Sequence, residues 1–268
     1  MIEKDLGFVL RRYNFRETSL IATLYTSRFG KIRGIFKGFY TSKREFSSTL
    51  DIFTLNEFVF YPKRSEIWLV SFADLILDYS FLRETISKAR LGALFLKLID
   101  RTMQLWDRNF FVFHLFKDCL YWLNQKEELK TSYIFLIKFL ALCGFRPQLN
   151  HCLTCEVELK EKAFFNTSRG GLICKNCYGS FNFSYEISKE TILSFLYIQE
   201  TTFPQVLRLA LTLNCRKEMD YILREFFLHH LEFDIFPGFP LPAPQEEELL
   251  ALPPAERVAA SKRGVYCG

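Results

Sequence analysis

The chain has 268 residues, with 35 Lys+Arg against 30 Asp+Glu for a net charge of +5. At 49% hydrophobic and 24% charged it reads as a folded chain with a real core, not a disordered one. No run approaches the roughly 18 apolar residues of a membrane span, and the mixed-charge start Met1-Ile2-Glu3-Lys4-Asp5 lacks the order of a secretory signal. A soluble, cytoplasmic protein with no membrane partner is therefore expected.

Residues 1–78 read as β, within a first domain over 1–79. Short apolar runs recur at Phe8-Val9-Leu10, Leu20 to Tyr25, Ile32 to Phe36, Ile52 to Tyr61 and Ile67 to Leu77. Asn14, Gly30, Gly38, Ser47-Ser48 and Pro62 break them. About five short strands with polar breaks predict a small barrel or sandwich.

From residue 80 the period changes. Leu91, Leu94, Phe95 and Leu98 recur at helical spacing, as do Phe113, Phe116, Leu120 and Leu123, and Tyr133, Leu136, Ile137 and Leu140. Gly144 followed by Pro147 is a stop for the third helix. Met219, Ile222, Leu223 and Phe226 mark a last helix ending near Phe233, and Pro204 is expected to open another. A helical domain over 80–236 follows, in an α+β fold. Residues 237–268 hold six of the nine prolines and Glu246-Glu247-Glu248, the composition of a disordered or weakly helical tail. Phe is abundant, at 30 residues, which fits a dense aromatic core or a codon bias.

Inside the helical region, 150–180 breaks the pattern. Cys152-Leu153-Thr154-Cys155 and Cys174-Lys175-Asn176-Cys177 form C-x2-C-x18-C-x2-C, with Gly170-Gly171 between the pairs. Each C-x-x-C turn aims two thiolates at one point, and two such turns complete a tetrahedral shell, so the spacing predicts a four-cysteine zinc ribbon. The alternatives are two disulfides or an emptied site. A closed thiolate shell leaves no open position, which makes one Zn2+ per chain structural and not catalytic. His151 adjoins the cluster, but four Cys suffice. A deaminase needs H-x-E before P-C-x-x-C, whereas His230-Leu231-Glu232 comes after both pairs. No P-loop, G-x-S-x-G, G-x-G-x-x-G or H-E-x-x-H appears, and no catalytic residues are assigned; the expectation is a protein that is not an enzyme.

The stretch from Arg28 to Phe46 holds six cations, Arg28, Lys31, Arg33, Lys37, Lys43 and Arg44, against Glu45 alone, a local net of +5. On a strand, Lys31, Arg33 and Lys37 share a face while Ile32 and Phe36 point into the barrel. Arg11, Arg12 and Arg16 form a second basic group. Phe29, Phe39, Tyr40 and Tyr61 interleave with the cations. Cations that track a backbone, with rings that stack on bases, suit single-strand binding; a solvated sheet face over core aromatics is the competing reading.

The order of parts resembles the RecO family of bacterial recombination mediators. The resemblance rests on Phe8-Val9-Leu10-Arg11-Arg12-Tyr13, Glu17-Thr18, Thr26-Ser27-Arg28-Phe29-Gly30-Lys31 and Lys37-Gly38 with the polar loop up to Leu50. Leu142-Cys143-Gly144-Phe145-Arg146-Pro147 before the first Cys pair, and Phe165 with Gly170-Gly171 before the second, complete it. It spans about residues 1–236. It implies an OB-fold barrel, then a helical domain carrying a zinc ribbon. It also implies a DNA repair function: binding single- and double-stranded DNA, annealing complementary strands, and helping to load the RecA recombinase. That loading would work with RecR on DNA coated by single-stranded-DNA-binding protein; the acidic C-terminal tail of that protein suits an apolar groove of the helical domain edged by Arg or Lys, and association with the nucleoid is expected. A protein-interaction scaffold with little direct DNA binding is the alternative.

Overall fold

The structure, a computed structural model, describes residues 2–41, 46, 48–62, 65–125, 128–159, 161–180 and 184–235. Lys43, Arg44 and the Pro-rich segment 237–268 lie outside the described residues.

Five strands open the chain: β1 (Glu3–Phe15), β2 (Ser19–Thr26), β3 (Gly30–Phe36), β4 (Thr54–Tyr61) and β5 (Ile67–Asp78). They close into a barrel in the order β1-β2-β3-β5-β4, antiparallel except where β3 meets β5. This is an OB-like barrel. Its interior is filled from alternate positions, among them Val9, Leu20, Ala22, Leu24, Ile32, Phe36, Phe58, Phe60 and Val70. Gly34 also faces inward, where a Cβ would stand 2.6 Å from Val70. Each apolar run of the sequence forms a strand. β1 extends further than its apolar core because its polar ends pair along β2 and β4.

The barrel feeds directly into helices α1 (Ile86–Thr102), α2 (Phe110–Trp122) and α3 (Glu128–Leu142). Asn109 caps α2, its side chain accepting from the Val112 N–H at 3.1 Å. Gly144 ends α3 as expected. At φ 85° it lets Phe145 N–H reach Leu140 O at 2.8 Å while its own N–H reaches Ala141 O at 3.2 Å, a Schellman closure. The short strands β6 (Ala163–Asn166), β7 (Gly171–Ile173) and β8 (Ser184–Ile187) form a small sheet in the order β7-β6-β8. Helices α4 (Lys189–Glu200) and α5 (Leu213–Leu231) are the last α-helices among the described residues. Pro204 opens no α-helix; it follows a cis peptide bond and precedes a short 3-10 turn, Gln205–Arg208.

One apolar core runs through the helices and onto the barrel. Phe95, Phe113, Phe116, Phe135 and Phe139 are fully buried in it, and Phe95 stacks on Phe135 at 3.9 Å between centroids. The phenylalanine excess thus serves packing. Phe8, on the outside of β1, contacts Tyr79, Phe113 and Phe116, and Tyr25 of β2 stands beside Phe113 and donates to Asn109 O at 3.1 Å. The helical domain therefore covers one half of the outer face of β1 and β2.

Candidate metal centre and nucleic-acid interface

The ribbon is assembled by backbone pairing before any ligand is considered. Gln148 N–H donates to Gly170 O at 2.9 Å and Leu172 N–H to Gln148 O at 3.0 Å, which fixes the segment ahead of the first Cys pair against β7. The two glycines play different parts. Gly170 takes the left-handed turn at φ 69°; Gly171 allows the close approach, since a Cβ there would lie 2.7 Å from Gln148 O. The C-x-x-C turns close through Glu156 N–H to Cys152 O at 3.0 Å and Cys177 N–H to Cys174 O at 3.1 Å.

These turns bring the sulfurs of Cys152, Cys155, Cys174 and Cys177 within 4.8 Å of one another. Cys155 Sγ and Cys174 Sγ are 3.7 Å apart. A tetrahedron of thiolates at about 2.3 Å from its metal has edges of about 3.8 Å, so the cluster could hold a metal ion. Burial opposes ionisation of Cys152, but the N–H groups of Cys155, Cys174 and Thr154 outweigh it and draw its pKa down to about 6. Cys177 is held up at about 12 by hydrogen bonding to the Cys174 and Cys155 thiols. The first thiolate forms readily and the last with difficulty, as expected of a cluster that ionises fully only around a cation. His151 is exposed and not one of the four grouped residues.

The cations behave differently. The register across the outer face sets Arg11 and Arg33 on either side of Thr23, and Tyr13 and Ile35 on either side of Ile21. A bulge between Val9 and Arg11 puts Arg11 on this outer face. Arg12, opposite the inward Ala22, turns to the other face and pairs with Asp51 at 2.7 Å. Arg11 is 3.3 Å from Asp100 of α1, and Arg33 is 3.0 Å from Glu66. Arg28 lies in the turn between β2 and β3, beside Glu3 at 3.7 Å and Asp5 at 3.6 Å. Arg16, in the turn between β1 and β2, and Lys37, just past β3, are exposed and form no salt bridge among the described residues.

Lys31 corrects the expected display of Lys31, Arg33 and Lys37 on one open surface. It does share Arg33's side of β3, but it is only 8% exposed, because the helical domain lies over it. Its Nζ donates to Met103 O at 2.9 Å, donates to Asp100 O, and lies 3.1 Å from Asp100 Oδ1. A cation at the C-terminal carbonyls of α1 is a favourable helix-dipole contact. The alternation of β3 revealed which side Lys31 takes; nothing local revealed what covers that side.

The rings are redistributed too. Phe29 and Phe39 are half-buried satellites of the barrel core, Phe29 against Phe60 and Trp68. Tyr40 is 49% exposed and Tyr13, missed by the sequence reading, is 54% exposed. Its place beside Arg11 on an alternating strand was the signal that could have found it. Charge is also less concentrated than the basic segment implied: residues 1–78 hold twelve Lys+Arg against nine Asp+Glu, a net of +3. Among the described residues, no helix is long and apolar enough to cross a membrane.

Comparison with known proteins gives two family matches, Recombination protein O N terminal over residues 1–78 and Recombination protein O C terminal over residues 83–235. Similar curated proteins carry the name DNA repair protein RecO. That of Alkaliphilus metalliredigens is 26% identical over 235 residues, covering 87% of this chain and 95% of the relative. That of Caldicellulosiruptor bescii is 29% identical over 233 residues, covering 87% and 94%. That of Geobacter metallireducens is 32% identical over 178 residues, covering 65% and 72%.

Proposed function

Because the chain belongs to the RecO family of DNA repair proteins, we propose that it is a non-catalytic mediator that binds single- and double-stranded DNA and anneals complementary strands. The observation that carries this reading is the open half of the β1–β2–β3 face, with exposed Tyr13 beside the Arg11–Thr23–Arg33 row and, at its end, exposed Arg16 and Lys37, which form no salt bridge among the described residues. Four cations there meet phosphates, and Tyr13 offers a ring on which any base can stack. Two strands whose phosphates are partly neutralised approach each other at lower electrostatic cost, and base pairing completes the annealing. Lys31 is left out of the contact set. The partners are RecR, the acidic tail of single-stranded-DNA-binding protein and, through loading, RecA; the place of action is the nucleoid of the cytoplasm. The four cysteines hold one structural Zn2+ per chain, which ties the ribbon together and takes no part in a reaction.

A scaffold with little direct DNA binding has one observation in its favour: Arg11, Arg12, Arg28, Lys31 and Arg33 all stand beside carboxylates. Fluorescence anisotropy with a labelled single-stranded oligonucleotide across a salt series separates the two. Four neutralised phosphates give a log–log slope of about −3. A slope near zero, or no binding at 50 mM salt, favours the scaffold.

A further inference from the structure

Asp100 stands in the last turn of α1, but its carboxylate serves the barrel. Oδ1 lies 3.1 Å from Lys31 Nζ and Oδ2 lies 3.3 Å from Arg11 Nε. The two cations differ in their freedom. The Lys31 side chain is 10% exposed and is also held by the carbonyls of Asp100 and Met103. The Arg11 side chain is 57% exposed and faces the open part of the sheet across Thr23 from Arg33.

We propose that Asp100 is a built-in competitor for DNA phosphate, holding Arg11 while the face is empty and yielding it when a strand crosses β1, β2 and β3. This rests on the reading of that face as the DNA surface. A guanidinium binds carboxylate and phosphate through the same fork of N–H donors, so one can replace the other without refolding. The exchange is inexpensive because Asp100 keeps a second cation: when Arg11 leaves, Lys31 still neutralises a carboxylate whose side chain is only 22% exposed. A carboxylate served by Arg11 alone would be stranded at the domain boundary, and its release would cost more. The competitor also comes from the helical domain while the cation comes from the barrel. A shift of α1 against β1 and β3 therefore changes how much of Arg11 a strand can use.

The test compares the full chain with its Asp100→Asn variant, using a fluorescein-labelled oligothymidine at low salt. The variant keeps the shape of the side chain and is expected to bind roughly two- to fivefold tighter, the range set by losing one partly exposed competing ion pair. The gain should vanish in the Arg11→Gln background, because Asp100 acts through Arg11. Unchanged affinity in D100N overturns the proposal, and so does a gain that persists without Arg11, which would mark a general charge effect. Should D100N lose its cooperative thermal transition, the unaltered protein decides: in 15N-labelled chain the Arg11 Nε resonance should shift at oligonucleotide saturation, and a signal that stays put refutes the exchange. A wild-type chain that binds no oligonucleotide defeats the DNA reading and this inference together. Wild-type binding with an unresponsive D100N defeats the inference alone.

Discussion

The ribbon and the barrel face solve opposite electrostatic problems. In the ribbon four sulfurs converge within 4.8 Å, an arrangement that repels itself once the thiols ionise unless a cation sits among them. On the barrel, cations are spread over the outer face, the other side of β1 and both ends of the strands, and most already stand beside a carboxylate. A concentrated, unmatched set depends on its ligand for its fold; a dispersed, matched set folds without one and yields its groups one at a time. Perturbing the ribbon should therefore cost structure, and perturbing the barrel cations should cost affinity.

Chelation or Cys174→Ser should produce the largest effect. Cys174 is 8% exposed and its sulfur is 3.7 Å from Cys155. Metal content is expected to fall from about one equivalent to under about 0.2, and the amides of 150–180 should lose hydrogen-exchange protection, since metal-binding energy in such sites is folding energy. Full metal content in C174S, or protection that survives chelation, would break the contrast.

Lys31→Met comes next, and it behaves like the ribbon despite lying in the barrel. It removes a buried cation from the C-terminal carbonyls of α1 and from Asp100. Asp100 retains Arg11, so a loss of about 2–3 kcal/mol in urea unfolding is expected, somewhat below that for stranding a fully buried charge. Oligonucleotide affinity of the folded variant should fall about threefold, because Asp100 is then served by Arg11 alone and gives it up at greater cost. A tenfold loss of affinity with normal stability would return Lys31 to the DNA surface.

The double reversal Arg16→Glu with Lys37→Glu sharpens the other side. Both residues are exposed and lack acidic partners among the described residues, so stability should change by less than about 0.5 kcal/mol. Binding should weaken at least tenfold and the salt slope should flatten by about 1.4, corresponding to two lost single-strand phosphate contacts. Unchanged binding would leave the surface misplaced.

The same contrast explains what the sequence could reveal. The four-cysteine cluster was legible because a C-x-x-C turn is local: each pair is positioned by hydrogen bonds spanning a few residues, such as Cys177 N–H to Cys174 O. The barrel strands and the stop at Gly144 were legible for the same reason, through alternation and a left-handed cap. The cation surface was not. Its make-up depends on Asp100, 69 residues from Lys31, and on Glu66, 33 residues from Arg33. It also depends on the bulge that separates Arg11 from Arg12. Neighbours brought from such distances, and one-residue shifts of parity, leave no mark on local charge counts.

Arg28 offers the finest test because, like Arg16, it is basic, exposed and one of the cations the sequence offers for DNA contact. The two sit at opposite ends of β2, whose eight residues span about 26 Å. Arg28 has a local task. Burial pushes the Asp5 carboxyl up, while the Arg28 N–H, the Leu6 N–H and the Arg28 guanidinium draw it back. The guanidinium also lies 3.7 Å from Glu3 and contacts Lys4 O, which ties the turn after β2 to the start of β1. Arg28→Gln should leave oligonucleotide affinity within about twofold and cost about 1–2 kcal/mol of stability, because the guanidinium is exposed but the Asp5 carboxylate it serves is buried. A tenfold loss of affinity would mean that a strand runs the full length of β2, and the DNA surface would then include this end of the barrel, where loop 104–109 packs against the β2–β3 turn.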